Sequence, residues 1–189
     1  MLTEDIVIDT LSTAGPLEPL ATLIAEVRQI VATEHDANQI SRAVAALLQP
    51  YLLIDGLLTL EQLQPDPMQY RQQILHIEPD ASFSIAALIW LPGQTTPIHD
   101  HVSWCVVGVY KGTESETSYQ LRGAETDAYL VPLEQTRNFA GSVAALVPPG
   151  DIHQVANKGE GVAVSLHVYG ADLGALGCSI RRRYDLPVR

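Results

Sequence analysis

Basic side chains are scarce in this chain. Its 189 residues include 11 lysines and arginines against 22 aspartates and glutamates, a formal net charge of −11, with a pI of about 4.8. A field of that sign repels phosphate backbones and removes nucleic acid from the expected partners. An anionic small molecule has to be met by a local basic group working against that field. Cysteine is nearly absent. Cys105 and Cys178 form neither a C-x-x-C pair nor a disulfide ladder, a usage that fits a reducing compartment. No apolar run reaches the roughly 18 residues that a membrane span needs. The opening Met1-Leu2-Thr3-Glu4-Asp5 lacks the basic stretch of a secretory signal. These absences set the expectation of a cytoplasmic protein, a monomer or small homo-oligomer, whose partners are small molecules and neither nucleic acid nor membrane.

What is present is a core. Hydrophobic residues make up 47% of the chain, enough for one domain over residues 1–189. Leu20, Leu23, Ile24, Val27, Ile30 and Val31 follow helical spacing, and Ile40, Val44, Leu47 and Leu48 repeat it after a break at His35-Asp36-Ala37-Asn38. Asp36 or Asn38 is placed to cap the second helix, and Pro50 to end it. The pattern predicts a helical cover over residues 1–65. From about Tyr70 the texture changes to short apolar or alternating runs at 82–90, 104–110, 116–121, 144–147 and 162–169, many of them separated by turn residues. Short strands at such spacing predict an antiparallel sandwich or barrel over 66–189. The stretch 127–139 reads as strand, loop or both.

Two separated stretches carry metal chemistry. His99 and His101 stand one residue apart, so on a strand they share a face. His153 follows the Pro148-Pro149-Gly150 turn about fifty residues later and closes a three-nitrogen site if the sheet folds back. Imidazole suits zinc, iron, copper and nickel. Asp100, between the two histidines, should point the opposite way, and is expected to fix the loop or support the ligands from outside rather than to bind the metal itself. A second row, Ser165, His167 and Tyr169, also alternates onto one face. A hydroxyl, an imidazole and a phenol buried together must be hydrogen-bonded to one another, either as a structural network or as a relay ending at the phenol. No acid follows the row in sequence, and the serine lies in no nucleophile-elbow pattern.

The metal stretches resemble the two motifs of the cupin superfamily. The first, G-x5-H-x-H-x3,4-E-x6-G, is matched by Gly93, His99, His101 and Gly112, with Cys105 where glutamate is usual. The second, G-x5-P-x-G-x2-H-x3-N, is matched by Pro148, Gly150, His153 and Asn157, with Gly141 one residue out of place. The resemblance implies a mainly β fold, a double-stranded β-helix barrel with the metal inside its mouth and the pair of N-terminal α-helices outside. Without the glutamate, three neutral imidazoles leave a divalent ion its full charge.

With Ser165-x-His167-x-Tyr169 added, residues 70–169 resemble the thiol dioxygenases of the cysteine dioxygenase family. That likeness implies an iron(II) enzyme that adds both atoms of dioxygen to a small thiol carboxylate, giving a sulfinic acid. It implies His99, His101 and His153 as iron ligands and Ser165, His167 and Tyr169 as a catalytic relay. Cys105 sits where animal members carry the cysteine that crosslinks to the active-site tyrosine, and its odd parity with His99 and His101 points it inward. A Cys105–Tyr169 thioether is therefore expected, against the alternative of a small buried hydrophobe. Family members of the cysteine type place an arginine in a Tyr-x-Arg segment. Here Tyr70-Arg71-Gln72 puts Gln72 in that place, as in the bacterial glutamine-type 3-mercaptopropionate dioxygenases. The substrate carboxylate is then expected to meet an arginine after the relay strand, with Arg181 ahead of Arg182 and Arg183, or else Arg71. Two other readings stand beside this one. They are a different metal-cupin enzyme, such as a manganese or zinc isomerase or hydrolase, and a non-catalytic cupin that binds a small molecule.

Overall fold

The computed structural model describes residues 8–9, 17–124 and 126–189. Its first helix, α1 (Glu18–Thr33), buries Leu20, Leu23, Ile24 and Val27, the face that the spacing marked. The second, α2 (Ala37–Tyr51), is capped by Asp36, whose carboxylate accepts from the backbone N–H groups of Asn38 and Gln39 at 3.1 and 3.0 Å. Pro50 does not stop α2, since Tyr51 is still helical. Proline lacks the N–H that would bond the Ala46 carbonyl, and the helix ends one residue later.

Eleven strands follow the order β1 (Ile8–Asp9), β2 (Arg71–Ile77), β3 (Ser84–Trp90), β4 (His99–His101), β5 (Cys105–Lys111), β6 (Thr113–Arg122), β7 (Tyr129–Phe139), β8 (Val143–Leu146), β9 (His153–Ala156), β10 (Ala163–Tyr169) and β11 (Ile180–Arg183), among the described residues. They build two sheets. The first runs β1-β2-β3-β10-β5-β8 and the second β11-β4-β9-β6-β7. All neighbours are antiparallel except β1 and β2. This is the expected cupin barrel, mainly β, with α1 and α2 at the N-terminal side and a short α3 (Leu173–Leu176) between β10 and β11. The undecided stretch resolves into β7, which pairs along the whole of β6.

The first sheet is buried on both faces, which explains why β3 and β10 read as nearly unbroken apolar runs. On β10, Val164, Leu166 and Val168 join the helices in one core, while Ala163 and Tyr169 belong to the core inside the barrel. Gly108 on β5 lets α2 come close. A Cβ there would stand 2.8 Å from both Leu48 Cδ2 and Leu52 Cδ1. The first helix is tied to the sheet by Arg28, which donates to both oxygens of Glu78 at 2.7 and 3.0 Å. The helices therefore cover the outer face, and the inner face is left to the chemistry.

Candidate metal centre and active site

Strand alternation and one register pair assemble the three histidines. His99 and His101 lie on β4, and β9 places His153 directly opposite His99. All three are buried, with ring centroids 4.6–5.0 Å apart. One ligand atom from each lies within 4.8 Å of the others. Each Nδ1 is occupied on the far side: His99 by the carbonyl of Pro97 at 2.9 Å, His101 by Asp151 Oδ2 at 2.9 Å, and His153 by Glu116 Oε1 at 2.7 Å. A neutral imidazole that donates from Nδ1 has a bare lone pair on Nε2. His153 Nε2 is buried with no protein partner. Burial, and then the neighbouring imidazoles, holds His99 well below the ordinary histidine range. Burial also lowers His101, against the pull of Asp151. Three convergent imidazoles, one with a buried nitrogen that has no protein partner, fit a divalent transition metal.

The supporting carboxylates are not the one that sequence position suggested. Asp100 does point away from the histidines, as alternation required, and it fixes the strand from outside. Its Oδ2 accepts from Arg182 Nη2 at 2.8 Å, from Tyr184 OH at 2.9 Å, and from Arg181. The ligand-orienting groups are Asp151 and Glu116. Asp151 also accepts the backbone N–H of His101 at 3.0 Å. Glu116 shares inward parity on β6 with Glu114, a signal that alternation alone could have given.

The second row is assembled by β10 as its spacing predicted. Ser165 Oγ lies 2.9 Å from His167 Nε2, and His167 Nδ1 lies 3.0 Å from Tyr169 OH. Trp90 Nε1 donates to Ser165 Oγ at 3.4 Å. Burial pushes His167 down to about 3, helped by His101 and His153, so the imidazole is neutral and carries one N–H. Burial and the nearby Cys105 push the Tyr169 phenol well above its ordinary value, and it keeps its proton. The ring centroids of His101 and Tyr169 are 6.3 Å apart, so the end of the row faces the histidine cluster. Cys105 pairs directly opposite Tyr169 across β5 and β10, and its Sγ is 4.0 Å from His167 Nδ1. Residues 14–177 match the family described as cysteine dioxygenase type I.

The chain belongs to that family. It is also similar to solved structures at low identity. A Thermus thermophilus protein is 22% identical, covering 60% of this chain and 95% of that one, at a TM-score of 0.44. A cupin 2 conserved barrel domain protein from Salinispora arenicola is 24% identical over 59% and 83%, at 0.40. A cupin superfamily protein from Desulfitobacterium hafniense is 15% identical over 63% and 94%, at 0.46. No helix among the described residues is long and apolar enough to cross a membrane.

The space between the two constellations is tight. A cavity of about 20 Å³ is bounded by the three histidines, His167, Tyr169, Gln72 and their neighbours, about the room that one ion or water occupies. Gln72 is buried, and its Nε2 has no protein partner. Ser179, which the sequence reading passed over, also lines the cavity. The two arginines expected at the substrate are elsewhere. Arg181 does not line the cavity. A bulge between Ile180 and Arg182 turns Arg181 and Arg182 to the same outer side, onto Asp100, and puts Ile180 opposite His101. Arg71 donates to the carbonyls of Glu61 and Gln64 and to Gln73 Oε1. Arg183 pairs with His99 in register and lines an outer groove with Tyr70 and Thr96, residues that also border the inner cavity.

Proposed function

We propose that the protein is an iron(II)-dependent thiol dioxygenase that converts a small thiol carboxylate to its sulfinic acid with both atoms of dioxygen, acting on 3-mercaptopropionate ahead of cysteine. The observation that carries this reading is the juxtaposition of three Nδ1-occupied histidines with the hydrogen-bonded row that ends at Tyr169. His99, His101 and His153 would hold the metal through Nε2. Iron(II), when bound, supplies a Lewis-acidic centre that favours the thiolate form of the substrate and activates dioxygen. The chain's own residues do the rest. Asp151 and Glu116 keep the ligand rings in one tautomer, His167 orients the phenol, and Tyr169 donates its proton to oxygen on the substrate side.

The substrate ranking rests on the cavity wall. Gln72 offers an uncharged amide where a cysteine-type pocket would present an arginine. Among the described residues bounding the cavity there is no carboxylate to pair with an α-ammonium. Burying that ammonium unpaired is costly, so a thiol acid without an amino group is favoured. Arg183, rather than Arg181, would meet the carboxylate, a reading supported by its place on the outer groove beside Tyr70 and Thr96. Oxygen uptake by the iron(II)-loaded protein with 3-mercaptopropionate, cysteine and cysteamine tests this reading. One oxygen molecule should be consumed per thiol, with 3-mercaptopropionate giving the highest kcat/KM. Arg183→Ala should lower the carboxylate thiols by about one to two decades relative to cysteamine, the scale of a charge-assisted hydrogen bond, while Arg181→Ala should not separate them. A higher kcat/KM for cysteine than for 3-mercaptopropionate would reverse the ranking. Absence of thiol-dependent uptake in iron-loaded protein would return the site to another cupin chemistry.

The same geometry supports a Cys105–Tyr169 thioether. Forming it joins Sγ to a ring carbon with loss of two hydrogens, and dioxygen is the oxidant that accepts them. Peptide mapping after many turnovers should show the two peptides joined in part of the population, two hydrogens lighter than their sum. Only free Cys105 thiol at that point would reject the crosslink.

A further inference from the structure

The inner cavity cannot hold a thiol carboxylate whole. Its volume is about 20 Å³, the room of one ion or water, and 3-mercaptopropionate needs several times that. A second, outer groove of about 450 Å³ adjoins it, with Gln69, Gln94, Thr95, Gln154 and Arg183 on its walls. Tyr70 and Thr96 are the two residues that border both spaces. We propose that the two spaces are one binding site joined by a neck between Tyr70 and Thr96. The thiol occupies the inner chamber, an anionic tail lies in the outer groove, and the ring of Tyr70 excludes thiols that are branched beside the sulfur. Tyr70 is then a specificity-determining residue. The ligand class widens to thiols unbranched at sulfur whose anionic tails run beyond the length of 3-mercaptopropionate. The inference rests on the thiol reading given above, and not on turnover.

The neck is built to hold its width. Tyr70 is 9% exposed, and its ring stacks on Trp90 with centroids 4.5 Å apart and planes 26° apart. Trp90 is fully buried and donates through Nε1 to Ser165 Oγ at 3.4 Å, so the tyrosine ring has a fixed wall behind it. Across the neck, Thr96 is pinned to β9. Its backbone N–H donates to the Val155 carbonyl at 2.9 Å, and its Oγ1 accepts the Val155 N–H at 3.0 Å. Neither side swings away without breaking these contacts. A close-packed wall of this kind sorts ligands by shape instead of opening as a lid.

The outer groove suits an anion. The chain carries 22 aspartates and glutamates, yet none is among the described residues bounding this groove, and Arg183 is. A neighbouring surface groove of about 450 Å³ continues it. The two share Gly93, Thr95 and Gln154, and the second adds Lys158 and again no acid. A negatively charged tail leaving the neck therefore meets amide, hydroxyl and cationic groups along the trough, on a surface that otherwise repels it.

Thiol binding to cobalt(II)-loaded protein under nitrogen tests the neck, because the sulfur-to-metal absorption band reports binding without turnover. N-(3-mercaptopropionyl)glycine, which is longer at the tail, should bind within about threefold of 3-mercaptopropionate, less than one misfit methylene costs in a shaped pocket. 3-Mercapto-3-methylbutanoate, with methyl groups beside the sulfur, should bind at least about tenfold more weakly, the scale of such a misfit. Tyr70→Ala should bring the branched thiol to within about threefold of 3-mercaptopropionate by removing that misfit. Tyr70→Phe, which keeps the ring, and Met68→Ala, which alters the groove alone, should keep the wild-type order. Equal weakening of the longer and the branched thiol in wild type overturns the proposal, as does a branched thiol still rejected by Tyr70→Ala or freely admitted by Tyr70→Phe. Should Tyr70→Ala fail to fold, the contrast between the two thiols in wild type and in Tyr70→Phe decides. Absence of a thiol band in wild type overturns the proposal outright. If the thiols bind in the expected order but the iron-loaded protein takes up no oxygen, the dioxygenase reading fails and the divided site stands.

Discussion

His153→Ala is expected to bring iron content in purified protein below about a tenth of wild type and to lower thiol-dependent oxygen uptake at least about a hundredfold, beyond the 10–100-fold typical of losing only a ligand's supporting partner. The reasoning is local. His153 is the one ligand from β9, it stands opposite His99, and its buried Nε2 has no protein partner. Alanine leaves two imidazoles from a single strand, which cannot close around an ion. It also strands Glu116, whose carboxyl is held below its ordinary value chiefly by the hydrogen bond to His153 working against burial. Glu116→Gln keeps a hydrogen-bond acceptor at the same place and should lose metal affinity by only about 10–100-fold. Metal analysis after dialysis, beside oxygen-electrode rates, separates the two variants. Full iron occupancy in His153→Ala would remove it from the ligand set.

Tyr169→Phe should keep the iron and lose the chemistry. The substitution removes one oxygen from a buried ring that also packs in the barrel core beside Cys105 and Leu173, so the fold and the histidine cluster remain. What goes is the proton donor at the end of the row, a contribution of about 10²–10⁴ in rate for a positioned acid or base. The loss should fall on kcat more than on KM, and oxygen consumed should exceed sulfinic acid formed. A wild-type rate with one sulfinic acid per oxygen would leave the row as a structural network. His167→Gln should fall between the two. The amide would keep a link to Tyr169 OH but lose the paired nitrogens that connect it to Ser165 at 2.9 Å.

Residues whose partners lie close in sequence, or whose spacing is periodic, were legible before any coordinates. The helical face of α1, the Asp36 cap, the shared face of His99 and His101, and the Ser165–His167–Tyr169 alternation follow from periods of 3.6 and 2. Residues whose role depends on register or a bulge were not legible. Arg181 looked well placed by parity counted back from Tyr184, and a single bulge in β11 sent it outward to Asp100. Pro50 was read as a stop, and the helix ends one residue beyond it, at Tyr51. The stretch that became β7 had no clean pattern because much of it faces solvent along its pairing with β6.

The sequence by itself determined the fold class, the three histidines and the Ser165–His167–Tyr169 row, because each is written in spacing that a strand converts directly into direction. Only the tertiary structure decided which carboxylates turn the ligand rings and that Arg181 and Arg182 turn onto Asp100. Glu116 lies 37 residues from His153, and Asp151 lies 50 from His101. Those neighbours meet only when the second sheet sets β4, β9 and β6 side by side. Inside the closed barrel each buried polar group must find a partner or carry the cost of having none.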